Sequence, residues 1–550
     1  MEAAPESRSS ANTETKGLGL ALSGGGFRAS FFHVGVLARL AELGVLPKVE
    51  VISTVSGGSI VGALYYLRLR ALLQSTPEED LDDRCYVELV ADVERRLRRG
   101  VQKNIRARVF ANPLKNLGML GPRYSRSDRI GDLYDRFLYK EAWGEERESR
   151  DFGRERQIAM RELLIRPPGA PDFHPDRDNA GRRYKVPILA INATSLNSGH
   201  NWRFEAVRMG EPLPASAAQR DLVRVVDKNM RLEQGYFYAD APGSPPDAHQ
   251  IPDSQKDFPL ALAVAASAAV PGVFHPLSIS DLYEGIRVQL VDGGVQDNQG
   301  VQALLDQGCE QIVISDASGQ MADVDKPAPF LPKALLRSSS IAQDRIRDEQ
   351  LIDSDTRPKA LIHLRMGLDA ECVPPLGNTA RREKGSCVAP GLTEYGADRQ
   401  VQDLLSRIRT DLDYFSDTEA LSLELDGYLI AKKEAGRLGA RPQSPPTENE
   451  DWPFLALEEK LKNPDRAYRA VLRAGRRKFF RPFFLRPALI PLAAVIALGI
   501  AFGGLAAGEP LAAIFEGPWP ADGLAVAAVL VFVPFAWANA KARLTWLYRR

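Results

Sequence analysis

The stretch VEVISTVSGGSIVGAL, residues 49–64, changes character midway. Val49, Val51 and Ile52, with Glu50 between them, read as a short strand, and from Ile60 onward the pattern reads as a helix. Ser56, followed by Gly57 and Gly58, stands at the junction. Serine and glycine are ordinary residues of a strand-to-helix turn. A sharper reading is a nucleophile elbow, a tight turn that lifts a serine oxygen clear of a sheet. The elbow pattern G-x-S-x-G is met except at its first position, where Thr54 stands. A β-branched residue there suits the extended backbone of a strand end. This stretch alone does not choose between the two readings, so the surroundings must.

Upstream, LGLAL (18–22) reads as a buried strand, and SGGGFRAS (23–30) leads into a helix with Phe32, Val36, Leu40 and Leu43 on one stripe. Gly44 and Pro47 close that helix. The opening is therefore β-loop-α-β-loop-α, the start of a largely parallel sheet. Residues 76–183 break the rhythm as a charged, helical insertion. The sheet resumes with VPILAINATS from Val186. LALAVAASAAVPGVF from Leu260 reads as a helix, and RVQLVDGGVQDNQG from Arg287 as a strand ending in a glycine turn. EQIVISDAS from Glu310 and ALIHLRM from Ala360 complete the strands; 394–432 reads as helix and 436–453 as a Pro-rich linker.

Three glycine turns thus end three expected strands: Gly24-Gly25-Gly26, Ser56-Gly57-Gly58 and Asp292-Gly293-Gly294. In an open parallel sheet the carboxyl ends of strands share one edge, where ligands bind. No G-K-[ST] follows the triple glycine, so a P-loop is not indicated.

The blocks GGGFR, STVSGGS, AASAAVPGVFHP and DGG, in this order, resemble the patatin-like phospholipase family, lipid acyl hydrolases with a Ser-Asp dyad. The resemblance covers residues 17 to about 320 and extends toward 430. It implies an α/β sandwich with a largely parallel central sheet flanked by helices, over residues 17–435. It also implies Ser56 as nucleophile, Asp292 as its base, an oxyanion hole at Gly24, Gly25, Gly26 and Arg28, and Gly57, Gly58, Gly293 and Gly294 as the residues shaping the turns. Backbone N–H groups freed by glycine turns at a helix start bind an anion, and the tetrahedral intermediate of acyl transfer is one. An aspartate at its usual pKa of ~3.9 is a poor base, so burial beside Ser56 must raise it. Ala29 departs from the motif, which usually ends in glycine. AASAAVPGVFHP is given no chemistry. The competing Ser-His-Asp triad has little material: His363 is the one histidine after Asp292 and falls inside a strand, while His33 reads as a packed histidine. Asp297 and Asp316 are other acids without the double glycine. An acyltransferase or thioesterase would use the same dyad. A membrane scaffold with a decayed hydrolase domain is the non-enzymatic alternative, and the presence of every polar catalytic position argues against it.

The chain has 550 residues, 44% hydrophobic and 26% charged, with 71 basic and 71 acidic side chains, so nothing global points to nucleic acid. Its four cysteines form no C-x-x-C pair, which suits a reducing compartment. No His, Cys or carboxylate cluster has metal-ligand spacing, so no metal or cofactor is expected. Residues 1–16 are polar, read as a disordered tail and not a signal peptide. The acceptor pattern at Asn192 reads as chance in a chain without an export signal. Pro487–Gly508 and Gly523–Ala540 carry no charge. About 22 residues at 1.5 Å each span roughly 33 Å, enough to cross a bilayer. Arg473, Arg476, Arg477, Lys478, Arg481 and Arg486 precede the first run; Lys541, Arg543, Arg549 and Arg550 follow the second; Glu509, Glu516 and Asp522 lie between. The positive-inside rule then gives a transmembrane hairpin over 487–540, preceded by a basic juxtamembrane helix over 454–486, with the catalytic domain on the cytosolic face. A buried helical hairpin is the alternative. The basic run Arg95, Arg96, Arg98, Arg99, Lys103, Arg106 and Arg108 reads either as a solvated helix face or as a grip on anionic lipid at the membrane surface. The expected partner is membrane lipid, as substrate and as surface.

Overall fold

A computed structural model describes residues 16–110, 125–144, 149–150, 154–212, 231–237, 249–319, 329–352, 359–366, 390–434 and 451–477, with a few single positions between. The expected N-terminal tail, most of the 436–453 linker, and the chain from 478 onward, including the 487–540 hairpin, lie outside the described residues. Among the described residues no helix is long and apolar enough to cross a membrane.

An eleven-stranded sheet organises the chain. Its strands are β1 (Lys16–Leu22), β2 (Val49–Val55), β3 (Ile188–Ser195), β4 (Asn201–Phe204), β5 (Arg208–Gly210), β6 (Gly235–Tyr236), β7 (His249–Gln250), β8 (Leu277–Tyr283), β9 (Ile286–Asp292), β10 (Cys309–Asp316) and β11 (Lys359–His363). The order runs β11-β10-β1-β2-β3-β4-β5-β6-β7. The first five strands of that path are mutually parallel. β1 and β2 are buried almost along their whole length, as strands covered on both faces must be.

Strand β3 has a divided edge. Up to Asn192 its neighbour is β2, with Val55 opposite Asn192. From Ala193 the same edge is taken by β9, which runs antiparallel, with Asp292 opposite Ala193 and Leu290 opposite Ser195. β2 and β9 therefore meet tip to tip. This corrects the expectation that all three glycine turns end parallel strands. β9 is the second arm of an antiparallel hairpin with β8. Such a hairpin reverses direction over a short turn at Glu284-Gly285, so β9 arrives from beyond the sheet edge.

The helices that matter here are α1 (Gly26–Glu42), α2 (Gly57–Ser75), α3 (Asp83–Val101), α4 (Ile105–Phe110), α5 (Arg126–Tyr134), α6 (Leu260–Ser267), α7 (Arg399–Ser406), α8 (Asp417–Glu434) and α9 (Arg466–Gly475). α1 is buried from Phe27 to Glu42, not on one stripe, because α8 and α3 both pack on it. Its buried Glu42 accepts hydrogen bonds from Arg39 (2.8 Å), Tyr428 (2.8 Å) and the Trp452 indole (2.8 Å). Within the insertion, α3 packs on α1 and α2, and α5 packs on α6.

Two expected helices differ. The 394–432 run is interrupted between α7 and α8 by a loop held by the Arg409–Glu419 ion pair at 2.7 Å. The expected 454–486 helix is, as far as Arg477, three short pieces: Pro453–Leu457, Glu458–Lys462 and α9. Pro464 stops the second piece, and Asp465 caps α9 by accepting the Tyr468 N–H at 2.6 Å. These pieces are not a free stalk: Trp452, Phe454, Tyr468 and Leu472 are buried, and α9 packs on α7 and α8. Part of the basic run is paired. Arg95 and Arg96 pair with Asp92, Arg98 with Glu94, and Arg106 with Asp411. Most of those acids lie outside the run, which is why the linear pattern looked unbalanced.

Candidate active site

Ser56 follows β2 directly and starts α2. Its backbone is at φ 49°, ψ −113°, a sparsely populated conformation for a side-chain-bearing residue and the signature of a strained elbow. Three hydroxyls hold it. The Ser56 N–H donates to Ser267 Oγ at 2.9 Å, Ser267 and Ser59 share a hydrogen bond of 2.8 Å, and Ser59 donates to Thr54 Oγ1 at 3.0 Å. Ser267 closes α6 and lies within AASAAVPGVFHP, the block to which the sequence reading gave no chemistry. The Thr54 side chain, standing where the pattern has glycine, fits because Gly62 faces it across α2; a Cβ there would come within 2.5 Å of Thr54 Cγ2.

Asp292 reaches the same point from β9. Its side chain comes near enough to the Ser56 hydroxyl for that group to act on its pKa, and it accepts the Gly294 N–H at 2.8 Å. Gly293 backs onto the Asn192 carbonyl. Burial pushes the Asp292 carboxyl up to about 6, against the opposing pull of the Gly294 N–H and the nearby Ser56 hydroxyl. That places a base near neutral pH. Tyr134 of α5 lies buried close to Asp292; burial first, and then the Asp292 charge, raise its hydroxyl well above the usual value.

The glycine loop between β1 and α1 lies against this pair. Gly57 and Gly58 allow it: a Cβ on either would stand 2.1 Å from the Gly26 or Leu22 carbonyl oxygen. The loop's donors are not equivalent. The Gly24 N–H is taken by the Asn298 carbonyl (2.9 Å) and the Phe27 N–H by the Asp411 carbonyl (3.0 Å). Between them the Gly25 and Gly26 N–H groups have no backbone partner among the described residues, which leaves them as candidate anion donors of the loop. Arg28 is buried and turned elsewhere: it donates to the carbonyls of Ser406 (3.0 Å), Ile408 (2.9 Å) and Ala317 (2.7 Å). Its place is to fasten the loop to β10 and α7.

His33 lies beneath the loop, Nε2 2.9 Å from the Ser23 carbonyl and Nδ1 2.7 Å from Ser315 Oγ. Full burial lowers it to about 4, so it is neutral and structural. His363 stands on β11, three strands from β2, 3.6 Å from Asp316. Asp297 accepts three backbone N–H groups, from Gln299, Gly300 and Gln302, and shapes its own turn. Neither histidine is placed to serve Ser56. The residues that sequence reasoning missed are Ser267, Ser59, Asn298 and Asp411. Ser267 and Ser59 sit inside motif blocks, AASAAVPGVFHP and STVSGGS; Asn298 and Asp411 carry no local signal.

Comparison with known proteins decides the lineage. The pattern of the patatin-like phospholipase family matches residues 20–305, more than half of the 550. This chain belongs to the patatin-like phospholipase family. Among solved structures it is similar to human GIVD cytosolic phospholipase A2 in complex with methyl gamma-linolenyl fluorophosphonate and terbium chloride, at 15% identity over 79% of this chain and 60% of that chain, with a TM-score of 0.36. It is similar to VipD from Legionella pneumophila at 12% identity, over 84% of this chain and 91% of that chain, with a TM-score of 0.26. The chain thus spans less than two thirds of the human chain it matches. No curated protein matches the sequence. Membership of the patatin-like family agrees with the α/β fold around a mostly parallel sheet.

Proposed function

We propose that this patatin-like chain is a serine lipid acyl hydrolase of the phospholipase A or lysophospholipase type, working through a Ser56 acyl-enzyme. Ser56 Oγ attacks the ester carbonyl while Asp292 takes its proton. The N–H groups of Gly25 and Gly26, with that of Gly57 at the start of α2, hold the oxyanion. The leaving alcohol receives the proton, and water then attacks the acyl-enzyme with Asp292 again as base. The observation that carries this reading is the tip-to-tip meeting of the strands that bring a strained Ser56 beside a buried carboxyl raised to about 6. Residues 487–540 form a membrane hairpin in this reading, supported by their two uncharged runs and the basic flanks. The catalytic domain then faces the cytosol and meets its substrate at the bilayer surface, where tethering raises effective concentration.

The test is labelling with a fluorophosphonate followed by peptide mapping, alongside product analysis by mass spectrometry on a mixed lipid extract. Label on Ser56, and loss of free fatty acid release in Ser56→Ala and Asp292→Asn with the fold kept, are expected. Label on Ser23 or Ser59, or damage from His363→Gln equal to that from Asp292→Asn, would overturn the dyad.

A further inference from the structure

Beside the junction of α3 with α4, the chain gathers cations without acids to match them. A cavity of about 190 Å³ opens there, and its lining includes Arg96, Arg99, Lys103, Arg136, Phe137 and Glu141. Arg96 is engaged: it holds Asp92 at 2.6 Å and donates to the Glu141 carbonyl at 2.9 Å. Glu141 is the one acid of the lining, and its carboxylate is mostly exposed and 3.9 Å from Arg96. Among the described residues Arg99, Lys103 and Arg136 hold no carboxylate.

A fifth cation stands behind them. Arg108 donates to the Lys103 carbonyl at 2.7 Å, and its guanidinium lies 5.3 Å from the Phe137 ring centre, with that of Arg136 at 5.4 Å from the same ring. Burial first, then the charges of Arg136 and Arg129, hold Arg108 below the usual guanidinium value. The other cations of α3 do find acids: Arg84 pairs with Glu88, Arg95 with Asp92 and Arg98 with Glu94. The cations left without a carboxylate partner thus gather at the cavity, and an anion entering it relieves repulsion as well as gaining contacts.

The donor set selects the kind of anion. Guanidinium forks and an ammonium suit phosphate oxygens, and a phosphate monoester carries about −1.5 to −2 at neutral pH. Phe137, Leu138 and Gly100 give the cavity an apolar side for the carbon that bears the phosphate. We propose that this cavity is a phosphate-monoester site, filled by a lipid headgroup or by a soluble phosphate ester. It is separate from the catalytic pair. The segment that supplies Arg136 and Phe137 follows α5 as a π-helical turn, Asp135–Tyr139. The inner side of this segment meets the core: Tyr134 lies near Asp292, and Tyr139 donates to the Ile60 carbonyl of α2 at 3.3 Å. The site is thus on the far side of the helix that backs the dyad, and it stands whether or not Ser56 acylates.

The test uses full-length protein in neutral maltoside micelles. Binding is measured for glycerol 3-phosphate in solution and for phosphatidic acid doped into the micelles. The triple variant Arg99→Gln/Lys103→Gln/Arg136→Gln is compared with Arg84→Gln as a control. A loss of tenfold or more in the triple variant alone supports the site. Loss on glycerol 3-phosphate identifies a soluble ester as sufficient, and loss on doped micelles only identifies a lipid headgroup. No binding of either ligand to wild type, or equal loss in Arg84→Gln, overturns the proposal. Should the triple variant not fold, phenylglyoxal modification of wild type decides. Ligand must slow labelling of Arg99 and Arg136 and leave Arg84 unaffected, and equal rates overturn the site. Hydrolysis of a soluble short-chain ester and fluorophosphonate labelling should be unchanged in the triple variant.

Discussion

At Asp292, the proposed base, catalysis and stability pull in opposite directions. A base must be ionised to accept a proton, and burial opposes ionisation. With its carboxyl raised to about 6, kcat/KM should fall as pH drops through about 6, with an acid limb absent from the ordinary aspartate range. The folded state binds more protons than the unfolded one between the ordinary value and about 6, so stability from this group declines as pH rises through that window. At pH 7 the raised value, about 6 against 3.8, weighs against folding by about 3 kcal/mol at 1.36 kcal/mol per unit. Asp292→Asn should therefore be inactive yet resist urea better than wild type at pH 7, with the gap closing near pH 4. Equal midpoints at pH 7 would count against a buried, raised carboxyl. Ser267→Ala removes the acceptor of the Ser56 N–H and should lower kcat about tenfold, with KM little changed and Ser267→Thr partly restoring it. Ser56 and Asp292 were legible because each sits in a glycine turn at the end of an apolar run. Ser267 was not, since a hydroxyl on an Ala-rich helix looks the same whether it holds a neighbour's backbone or points at nothing.

Helix α1 and helix α8 approach each other closely at Gly35, where a Cβ would stand 1.7 Å from the Glu424 carbonyl oxygen. Backbone cannot yield as a side-chain tip can. Gly35→Ala should destabilise by about 3 kcal/mol, the upper end for overpacking, seen as a lower midpoint in thermal unfolding. An unchanged midpoint would show that the two helices separate freely. At this scale the strands were readable from their apolar runs, but their directions were not. Nothing local in IRVQLVD distinguishes a strand that enters the sheet from above from one that enters from below; the hairpin with β8 decides it. The break between α7 and α8 was hidden for a similar reason. The loop is ordered by Arg409 with Glu419 and by the Asp411 carbonyl on Phe27, contacts remote from local periodicity.

Over the whole molecule, the chain after the linker belongs to the catalytic domain until Arg477. The Trp452 indole satisfies Glu42 in the core of α1, and the Gly475 carbonyl accepts from Arg409 at 2.9 Å. A chain ending after Arg477 should fold, need no detergent, hydrolyse a short-chain soluble ester, and lose much of its rate on vesicles. A chain ending after Asp451 should lose about 3–5 kcal/mol or fail to fold, because a buried tryptophan is removed and Glu42 loses a partner. Circular dichroism melts of the two truncations separate these outcomes. Recovery of the full-length protein in the soluble fraction without detergent would remove the membrane hairpin from the reading. The basic residues from Arg473 onward suggested a juxtamembrane helix over 454–486, but its described part up to Arg477 packs through α9 on α7 and α8.

The tip-to-tip meeting of β2 and β9 also sets an order in time. During synthesis the ribosome releases the elbow long before Asp292, and Asp292 long before the Asp411 carbonyl that fixes the start of α1. A partly made chain therefore owns a serine without a base, and then a dyad without a settled anion loop. If the chain works as proposed, its activity is silent until most of that fold has been translated.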